Sequence, residues 1–430
     1  MESVLYIYVV RPGDSLFLIG ELYGVSARGI AETNQMELTD SLVIGQALVV
    51  EADEVRHTVA PGETLSGLAR QYQLSEEAIL KANPQITNPA LIRAGETVVI
   101  PSPFRRLGQK QVNGYAFPSI NPDTLERTLP HLTYCSVFSY QVNADGSLNS
   151  IADGPVIAAA RRRNVAPMMV ITNIVTGSGF NSNVVHSILI SDTAQETLLS
   201  NVLRILREKN YYGLNIDFEY ILQEDRERYN RFLEKAAARL HAAGYILTTS
   251  LAPKTSADQP GLLYEAHDYA AHGRIVDHVI LMTYEWGYTN GPALPVAPLN
   301  LVEQVLQFAV SVIPSRKIFM GIPNYGYDWT LPFVQGTKAR PLTNPGAVEL
   351  ARRVGARIFF DSKAQAPYFH YYSSDAKEHE VWFEDARSIN AKLRLADNYG
   401  LGGVSYWTIN SFFAQNWLVL DSLYQVQKVL

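Results

Sequence analysis

The chain has 430 residues, 47% of them hydrophobic and 18% charged, and a formal net charge of −6 at pH 7. This length and composition are typical of a globular protein with a large domain and appendages, and the negative charge argues against nucleic acid as the partner. The single cysteine excludes a disulfide framework, and because no apolar run has membrane-spanning length, we expect no membrane partner.

The N-terminus does not predict export through a secretory signal. Residues 1–6 read Met-Glu-Ser-Val-Leu-Tyr and contain no basic region, apolar core or cleavage site. If the protein meets an extracellular polymer, we expect it to reach that polymer by another route.

The N-terminal part of the chain contains an internal repeat. Residues 10–16 return as residues 59–65. Matching pairs continue at the same spacing: Tyr23 and Tyr72, Ser26 and Ser75, Ile30 and Ile79, Asn34 and Asn83. Each copy predicts a strand, two short helices and a strand. The residues expected to cap these helices at their N-termini are Ser15, Ser26, Thr64 and Ser75.

Both copies resemble the LysM module, which binds glycans that contain N-acetylglucosamine, such as peptidoglycan and chitin. The resemblance predicts one module at residues 1–52 and a second at residues 53–102. It implies a glycan-binding groove between the loop after the first strand and the segment after the second helix. The residues assigned to this groove are Gly13, Asp14, Ser15 and Asn34 in the first copy, and Gly62, Glu63, Thr64 and Asn83 in the second. The alternative is a pair of small domains that contact other proteins.

From residue 104 onwards, apolar strands alternate with amphipathic helices. The predicted strands are residues 111–117, 134–140, 166–173, 213–220, 246–251, 278–284, 318–322 and 403–407. The clearest helices are residues 193–209, 225–243 and 299–312. This alternation predicts an α/β fold, a (β/α)8 TIM barrel over residues 103–430. The alternative is a doubly wound open sheet, which is disfavoured because no glycine-rich phosphate loop follows any strand.

One interval departs from the alternation. Between the seventh strand and a helix that begins near Glu384, strand-like pieces occur at residues 357–361 and 368–372. We therefore predict a short α+β insertion after the seventh strand.

The fourth predicted strand carries two carboxylates. Asn215, Asp217 and Glu219 alternate with apolar residues and so share one face, which lies either in water or in a cleft. Two like charges about 6.6 Å apart repel by about 2.5 kcal/mol at an effective dielectric constant of about 20, which shifts a pKa by nearly 2. One carboxylate can therefore stay protonated beside an ionised neighbour, as a general acid must, and such a pair suits glycoside hydrolysis.

Catalytic residues of a TIM barrel lie at the C-terminal ends of its strands. Polar and aromatic residues at these ends are Tyr115, Phe117, Asn173, Asp217, Glu219, Tyr284, Glu285, Asn324, Tyr325 and Trp407. We expect them to meet around one cleft.

The fourth strand resembles the signature of glycoside hydrolase family 18, Asp-x-x-Asp-x-Asp-x-Glu. Asp217 and Glu219 match its last two positions, and the resemblance implies that Glu219 is the general acid and that Asp217 orients the acetamido group of the substrate. Tyr212 and Asn215 stand where the family has aspartates. Asn215 can hydrogen-bond Asp217 but cannot share a proton with it, so we expect an altered pH profile rather than an altered reaction.

Two further strand ends resemble the same family. The sixth strand ends in Met-x-Tyr-Glu, similar to the family's Met-x-Tyr-Asp, which implies that Tyr284 holds the acetamido oxygen. Trp407 matches the tryptophan that forms the floor under the sugar at the cleavage position. The residues assigned to substrate binding are Asn215, Trp407, Tyr115, Glu285 and Asn173. The alternative for Tyr284 and Trp407 is that they are core aromatics.

The resemblance implies a substrate-assisted reaction without metal or cofactor. Glu219 protonates the glycosidic oxygen, and the 2-acetamido oxygen of the sugar attacks the anomeric carbon to give an oxazolinium ion held by Asp217 and Tyr284. Water activated by Glu219 then opens this ring with retention of configuration. Other chemistries are not indicated, because the histidines lack zinc-ligand spacing and no Gly-x-Ser-x-Gly elbow occurs.

Two LysM modules directly ahead of a family 18 barrel, without a secretory signal, resemble the bacterial spore cortex-lytic enzymes. This resemblance implies an N-acetylglucosaminidase that fragments spore peptidoglycan during germination and reaches the outer layers of the spore from the mother-cell cytoplasm; we expect a monomer. One alternative is a chitinase or endo-β-N-acetylglucosaminidase on chitin-like glycans. Another is a non-catalytic glycan-binding protein, against which Glu219 argues because such lectins usually lose the acid.

Overall fold

The computed structural model describes residues 4–430. Residues 1–3, which belong to the predicted first module and to the segment analysed for a secretory signal, lie outside the described residues. Within residues 4–430, no helix is both long enough and apolar enough to cross a membrane.

Each repeat folds as strand, helix, helix and strand, as predicted. The elements are β1 (Val4–Val9), α1 (Leu16–Tyr23), α2 (Ala27–Thr33) and β2 (Ala47–Ala52) in the first, and β3 (Val55–Thr58), α3 (Leu65–Tyr72), α4 (Glu76–Ala82) and β4 (Thr97–Ile100) in the second. The two strands of each repeat pair antiparallel. The predicted N-caps are confirmed, since each hydroxyl accepts a backbone N–H of its helix: Ser15 from Leu18, Ser26 from Gly29, Thr64 from Gly67 and Ser75 from Ala78.

The two repeats pack against each other around a common hydrophobic core. The Tyr6 hydroxyl on β1 donates to the carbonyl of Ile100 on β4 at 3.0 Å. The side chain of Gln73, just after α3, bonds to both the N–H and the carbonyl of Val9, at 3.0 and 2.8 Å. These bonds join the repeats into one unit.

The rest of the chain forms a barrel with one insertion. The elements up to the seventh barrel strand are β5 (Gly108–Ala116), α5 (Pro122–Thr128), β6 (Tyr134–Gln141), α6 (Gly154–Arg162), β7 (Ala166–Thr172), β8 (Ile174–Val175), β9 (Gly179–Phe180), α7 (Ser182–Leu189), α8 (Asp192–Lys209), β10 (Gly213–Asp217), α9 (Arg226–Ala242), β11 (Ile246–Leu251), α10 (Tyr269–Ile275), β12 (His278–Leu281), α11 (Leu299–Val312) and β13 (Ile318–Pro323). The insertion contains β14 (Gly326–Leu331), β15 (Arg340–Leu342), α12 (Asn344–Val354), β16 (Phe359–Asp361), β17 (Ala366–Tyr372) and β18 (Glu378–Trp382). The last elements are α13 (Ala386–Asn398), β19 (Gly403–Trp407), α14 (Ala414–Leu423) and β20 (Tyr424–Val426).

Within residues 4–430, eight parallel strands close the barrel in the order β5-β6-β7-β10-β11-β12-β13-β19, with β19 paired back to β5. The main hydrophobic core lies between these strands and the surrounding helices, and a second cluster of mostly aromatic and aliphatic side chains fills the interior. The predicted (β/α)8 TIM barrel is confirmed.

Two strands end three residues earlier than predicted. β10 stops at Asp217, the last residue that pairs with β7, and Tyr220 has a φ of 54° and is 40% exposed instead of continuing the apolar face. β12 stops at Leu281, after which the N–H groups of Thr283 and Tyr284 bond to carbonyls two residues earlier. At both points the chain leaves the strand direction locally, through the positive φ of Tyr220 and the short-range bonds of Thr283 and Tyr284. By contrast, β11 and β19 have the predicted bounds.

The predicted α+β insertion follows β13. Its strands pair antiparallel in the order β15-β14-β18-β17-β16, and α12 packs on this sheet through a hydrophobic cluster. Because the loop after a barrel strand opens at its C-terminal end, the insertion stands beside the mouth of the barrel.

The first repeat is attached to the insertion and to the last barrel helix. Val43 packs in the hydrophobic cluster of the insertion. Arg352 on α12 forms an ion pair with Asp40 at 3.2 Å, and Gln415 on α14 donates to the carbonyl of Ala47 at 2.8 Å. The first repeat is therefore joined to the rest of the protein by side-chain contacts as well as by the linker. The domain boundaries after residues 52 and 102 stay predictions.

A matched pair of glycines tests this attachment. Gly45 and Gly95 both have a φ of 86°, so asparagine introduces the same backbone strain at each. A Cβ at Gly45 would lie 1.8 Å from the backbone oxygen of Ile358, whereas a Cβ at Gly95 would have nothing within 4 Å. We expect Gly45→Asn to lower the free energy of unfolding by about 1–3 kcal/mol more than Gly95→Asn, the usual effect of overpacking. Urea denaturation measures both, and equal losses would contradict a stabilising attachment.

Candidate active site

The carboxyl end of β10 carries both predicted catalytic carboxylates. Asp217 ends the strand, and Glu219 lies beyond the last strand pairing. The Asn173 side chain takes the place of a strand partner: its amide oxygen accepts the N–H of Glu219 at 3.0 Å, and its NH2 donates to the carbonyl of Glu219 at 2.8 Å. Asn173 is 0% exposed, and its side chain fixes the backbone of the acid. That it also binds substrate stays a prediction.

A buried histidine, His267, hydrogen-bonds to the carbonyl group of the residue before Glu219. His267 accepts the N–H of Ala252 at Nδ1, at 2.9 Å, which places the ring proton on Nε2. Nε2 then donates to the carbonyl of Phe218 at 3.0 Å. Burial lowers the pKa of His267 to about 4, so the ring stays neutral near pH 7. Nothing in the sequence indicates this role, because His267 is distant from Phe218 along the chain.

Asp217 and Glu219 share an environment of low polarity. Asp217 is 4% exposed, and among the described residues no group hydrogen-bonds to its Oδ1. Burial raises the pKa of Asp217, and the Ser250 hydroxyl offsets part of this effect. Burial, together with the charges of Asp217 and Glu285, raises the pKa of Glu219 well above its ordinary value. The pair therefore keeps a proton near neutral pH, the condition that a general acid requires.

The side chain of Asn215 hydrogen-bonds to residues other than Asp217, the partner considered in the sequence analysis. Its amide oxygen accepts the hydroxyls of Tyr115 at 3.0 Å and Ser250 at 3.3 Å, and its NH2 donates to Thr248 at 2.9 Å. Among the described residues, no hydrogen bond joins Asn215 to Asp217. Asn215 and Tyr115 are buried, at 0% and 2% exposure, and they form a polar support inside the barrel beside Asp217.

The sequence analysis missed Thr248 and Ser250. A partial signal was present, since Thr248 and Ser250 are two residues apart on β11 and share one face, as Asn215 and Asp217 do on β10, although the residue between them is another threonine. The register places Asn215 directly beside Thr248. Alternating polar residues on two adjacent barrel strands therefore indicate one internal hydrogen-bond network.

Tyr284 lies just beyond β12, at the predicted strand end. Its ring packs against Gly321 on the neighbouring strand β13, where a Cβ would be 2.7 Å from the ring. Burial raises the pKa of the Tyr284 hydroxyl, and the charges of Tyr115, Asp217 and Glu219 add to this effect. The hydroxyl thus stays protonated beside the two carboxylates and can donate to a carbonyl oxygen between them.

Glu285 is oriented by two tyrosines from the far side of the cleft. Its carboxylate accepts hydrogen bonds from the hydroxyl of Tyr325 and, at 3.0 Å, from that of Tyr327 on β14. Burial raises the pKa of Glu285, and the two tyrosine hydroxyls offset part of the effect. The insertion therefore helps to position a third carboxylate at the mouth of the barrel.

Trp407 ends β19 and is half-buried. Three aromatic rings pack edge-on against its indole: Phe138 at 4.7 Å between centroids, Tyr115 at 5.4 Å and Phe117 at 5.9 Å. The NH2 of Asn324 donates to two carbonyls of the following loop, both at 2.8 Å. These contacts fix the plane of the indole, as a platform for a sugar ring requires.

The residues predicted to bind glycan in the repeats also have structural roles. Asp14 and Glu63 each accept the backbone N–H three residues earlier at 2.7 Å, and so close the loop after the first strand. Gly13 and Gly62 give that loop its positive φ, 89° and 86°. The next residues, Ser15 and Thr64, cap their helices.

The two asparagines connect helix and strand within each repeat. The NH2 of Asn83 donates to Ile79 at 2.8 Å and to Val99 at 2.7 Å, and its oxygen accepts the N–H of Val99 at 2.8 Å. Asn34 makes the equivalent bonds in the first repeat. Asn83 is 0% exposed and its amide is fully used within the repeat, so it supports the shape of the groove; a direct contact of either asparagine with a glycan stays a prediction.

The cleft residues can donate a proton and stabilise a positive charge. Glu219 supplies the proton, the free oxygen of Asp217 supplies negative charge, and Tyr284 supplies a hydrogen bond. Among residues 4–430, no group of three or more His, Cys, Asp or Glu side chains is placed to hold a metal ion.

The sequence matches Glycosyl hydrolases family 18 over residues 119–411 and the LysM domain over residues 8–51 and 57–101. It is 38% identical over 431 residues to the cortical fragment-lytic enzyme of Bacillus subtilis, with 99% of both chains covered. The structure is similar to the Bacillus cereus spore cortex-lytic enzyme SleL, with a TM-score of 0.86, 37% identity and 99% of both chains covered. It is also similar to a chitinase from Chromobacterium violaceum, with a TM-score of 0.68, 26% identity, and 73% of this chain and 98% of that chain covered.

Fold, strand-end chemistry and these similarities define the protein as a glycoside hydrolase. The chain belongs to glycosyl hydrolase family 18, and two LysM domains precede its barrel. Both family resemblances noted in the sequence are thereby confirmed.

Proposed function

We propose that this glycosidase cleaves spore cortex peptidoglycan during germination, at the β-1,4 bond on the reducing side of N-acetylglucosamine. The observation that carries the proposal is the similarity to a cortical fragment-lytic enzyme over 99% of both chains, repeats and barrel together. We further propose that the protein acts as a monomer in the outer layers of the spore, which it reaches from the mother cell.

Glu219 begins the reaction by protonating the glycosidic oxygen. Its raised pKa keeps the carboxyl protonated near neutral pH, and the two bonds from Asn173 hold its backbone in place. As the proton reaches the oxygen, the bond from that oxygen to the anomeric carbon breaks. The resulting carboxylate is then the base for the second step.

The nucleophile is the 2-acetamido oxygen of the substrate. Its attack on the anomeric carbon closes an oxazolinium ring, and the positive charge spreads over the former acetamido group. The free Oδ1 of Asp217 accepts the acetamido N–H and balances this charge, while Tyr284 donates to the acetamido oxygen. Water that loses a proton to Glu219 attacks the same carbon, which opens the ring with net retention.

This mechanism restricts the sugar at the cleavage position. Muramic lactam has no acetyl group on its nitrogen, so it cannot supply the attacking oxygen. N-acetylmuramic acid has the acetamido group, but it carries a bulky lactyl ether on the adjacent carbon, against the aromatic pocket around Trp407. N-acetylglucosamine meets both conditions.

We therefore expect the digest of cortex to contain N-acetylglucosamine at its new reducing ends. Borohydride reduction followed by mass spectrometry identifies the terminal sugar directly, and a digest with the Glu219→Gln variant is the matched blank. Dominant muramitol ends would identify a muramidase and contradict the substrate-assisted mechanism.

A comparison of two substrates distinguishes the proposed function from the chitinase alternative. Turnover of chitin oligosaccharides is compared with turnover of cortex fragments of similar length. Because the repeats and barrel are similar as a whole to the cortical fragment-lytic enzyme, we expect the cortex fragments to be the better substrate.

A further inference from the structure

The loop that follows the second helix is packed against the barrel in the first repeat and is exposed to solvent in the second. The first loop (residues 34–46) lies against the barrel and the insertion, and Val43 within it is 4% exposed. The second loop (residues 83–96) projects from the second repeat, and Leu91 within it is 63% exposed. The two repeats share a fold but not the accessibility of this loop.

Hydrogen bonds hold the first loop on the barrel. The oxygen of the Gln35 side chain accepts the N–H of Ala414 at 2.7 Å, and its NH2 donates to the carbonyl of Phe412 at 3.3 Å. Phe412 lies between β19 and α14, and Ala414 is the first residue of α14. Arg387 on α13 donates to another carbonyl of the first loop at 3.1 Å. The first loop is therefore part of the interface with the barrel.

The asparagine at the start of each loop has a partner on the barrel in the first repeat and a partner within the loop in the second. The amide oxygen of Asn34 accepts the NH2 of Gln415 on α14 at 2.9 Å. The amide oxygen of Asn83 instead accepts the NH2 of Gln85, from its own loop, at 3.1 Å. The second loop thus keeps its shape without the barrel, and its outer surface is free.

The two loops also differ in charge. Residues 84–92 of the second loop read Pro-Gln-Ile-Thr-Asn-Pro-Ala-Leu-Ile and contain no charged side chain, and the two charged residues that follow, Arg93 and Glu96, have opposite signs. The charged residues of the first loop, Glu37 and Asp40, are both acidic. Peptidoglycan carries carboxylates on its peptide stems, so acidic side chains repel it. An uncharged surface of apolar and amide groups is complementary to the acetyl methyls and hydroxyls of its sugars.

We propose that the second repeat, through the second loop, binds the N-acetylglucosamine-containing glycan strand, and that the first repeat does not contribute to this binding. The inference rests on the proposed function, which supplies the glycan. It deepens that function by assigning retention on the polymer to one of two repeats with the same fold.

Two exposed leucines provide a matched test. Leu91 of the second loop and Leu38 of the first are 63% and 49% exposed, so replacing either by aspartate adds the same charge without removing a core contact. Each substitution is made in the full-length Glu219→Gln chain, so that the polymer is not digested. The measurement is the fraction of protein retained on insoluble cortex sacculi as a function of sacculus concentration, with thermal unfolding as a check of folding.

We expect Leu91→Asp to weaken retention by at least about tenfold, which corresponds to the loss of one apolar contact, and Leu38→Asp to leave retention unchanged. If the parent chain binds, then equal losses in both variants, a loss at Leu38 alone or a loss in neither overturns the assignment to the second repeat. If the parent chain itself is not retained, the glycan-binding function fails as well, and this inference with it.

Discussion

The Glu219→Gln variant is expected to lose turnover on cortex fragments by roughly 10²–10⁴-fold, the usual contribution of a general acid. Glutamine has nearly the same shape and can keep the backbone bonds that Asn173 makes, but it has no proton to give to the glycosidic oxygen. Substrate affinity should therefore change little while kcat falls. Steady-state kinetics on purified cortex fragments separates the two parameters.

Glu285→Gln is the matched control, because Glu285 is a carboxylate of the same cleft outside the acid position. It is held by Tyr325 and Tyr327 on the side of the insertion. We expect its effect on kcat to be far smaller than that of Glu219→Gln, with the main change in KM. A variant at Glu219 that turns over near the wild-type rate, with its fold verified, would end the assignment of the acid.

The same substitution reports on the environment of Glu219 through stability. The pKa of Glu219 in the folded protein is raised above the ordinary value of 4.5. The protonated Glu219 therefore contributes its full stability below pH 4.5, and this contribution is lost as the pH rises towards the pKa in the folded protein. Glutamine cannot ionise. We therefore expect Glu219→Gln to unfold at the wild-type temperature under acidic conditions and at a higher temperature at mildly alkaline pH. If the difference in unfolding temperature between the variant and the wild type is the same at acidic and mildly alkaline pH, the raised pKa is contradicted.

The sequence was sufficient to predict the parts of the protein that depend on local patterns. Apolar runs that alternate with amphipathic helices placed the barrel strands, and a repeat with N-cap residues at fixed positions placed the helices of both LysM domains. The chemistry at the end of β10 was also visible, because Asp217 and Glu219 are unusual in so apolar a stretch of sequence. Each of these features is encoded within a short stretch of chain.

Features that depend on distant residues could not be predicted in this way. Asn173 was assigned to the substrate because it ends a strand, but the early end of β10 leaves the backbone of Glu219 without a strand partner, and Asn173 serves that need. His267 supports Phe218 through a neutral ring whose setting exists only in the folded barrel. The attachment of the first repeat likewise depends on side chains such as Gln415, far from it in the sequence.

Asp217→Asn is expected to reduce kcat on N-acetylated substrates by roughly 10²–10³-fold, the usual effect of removing one preorganised group that stabilises charge in the transition state. The amide keeps the size of the carboxylate but carries no negative charge to balance the oxazolinium ion. Because the environment is buried, that missing charge has a larger effect than it would in water. Kinetics on N-acetylglucosamine oligomers measures the loss.

A stable thiazoline analogue of the oxazolinium ion distinguishes this role from a general loss of structure. It should inhibit the wild type and bind Asp217→Asn much more weakly, because its protonated ring needs the carboxylate, while Asn215→Ala, which leaves that carboxylate in place, should retain most of the inhibition. Trapping of a covalent sugar on Asp217 or Glu219 would instead show that a side chain is the nucleophile. An adduct on Asp217 would make its free Oδ1 the attacking atom, and with an adduct on either carboxylate the substrate would no longer need its acetamido group.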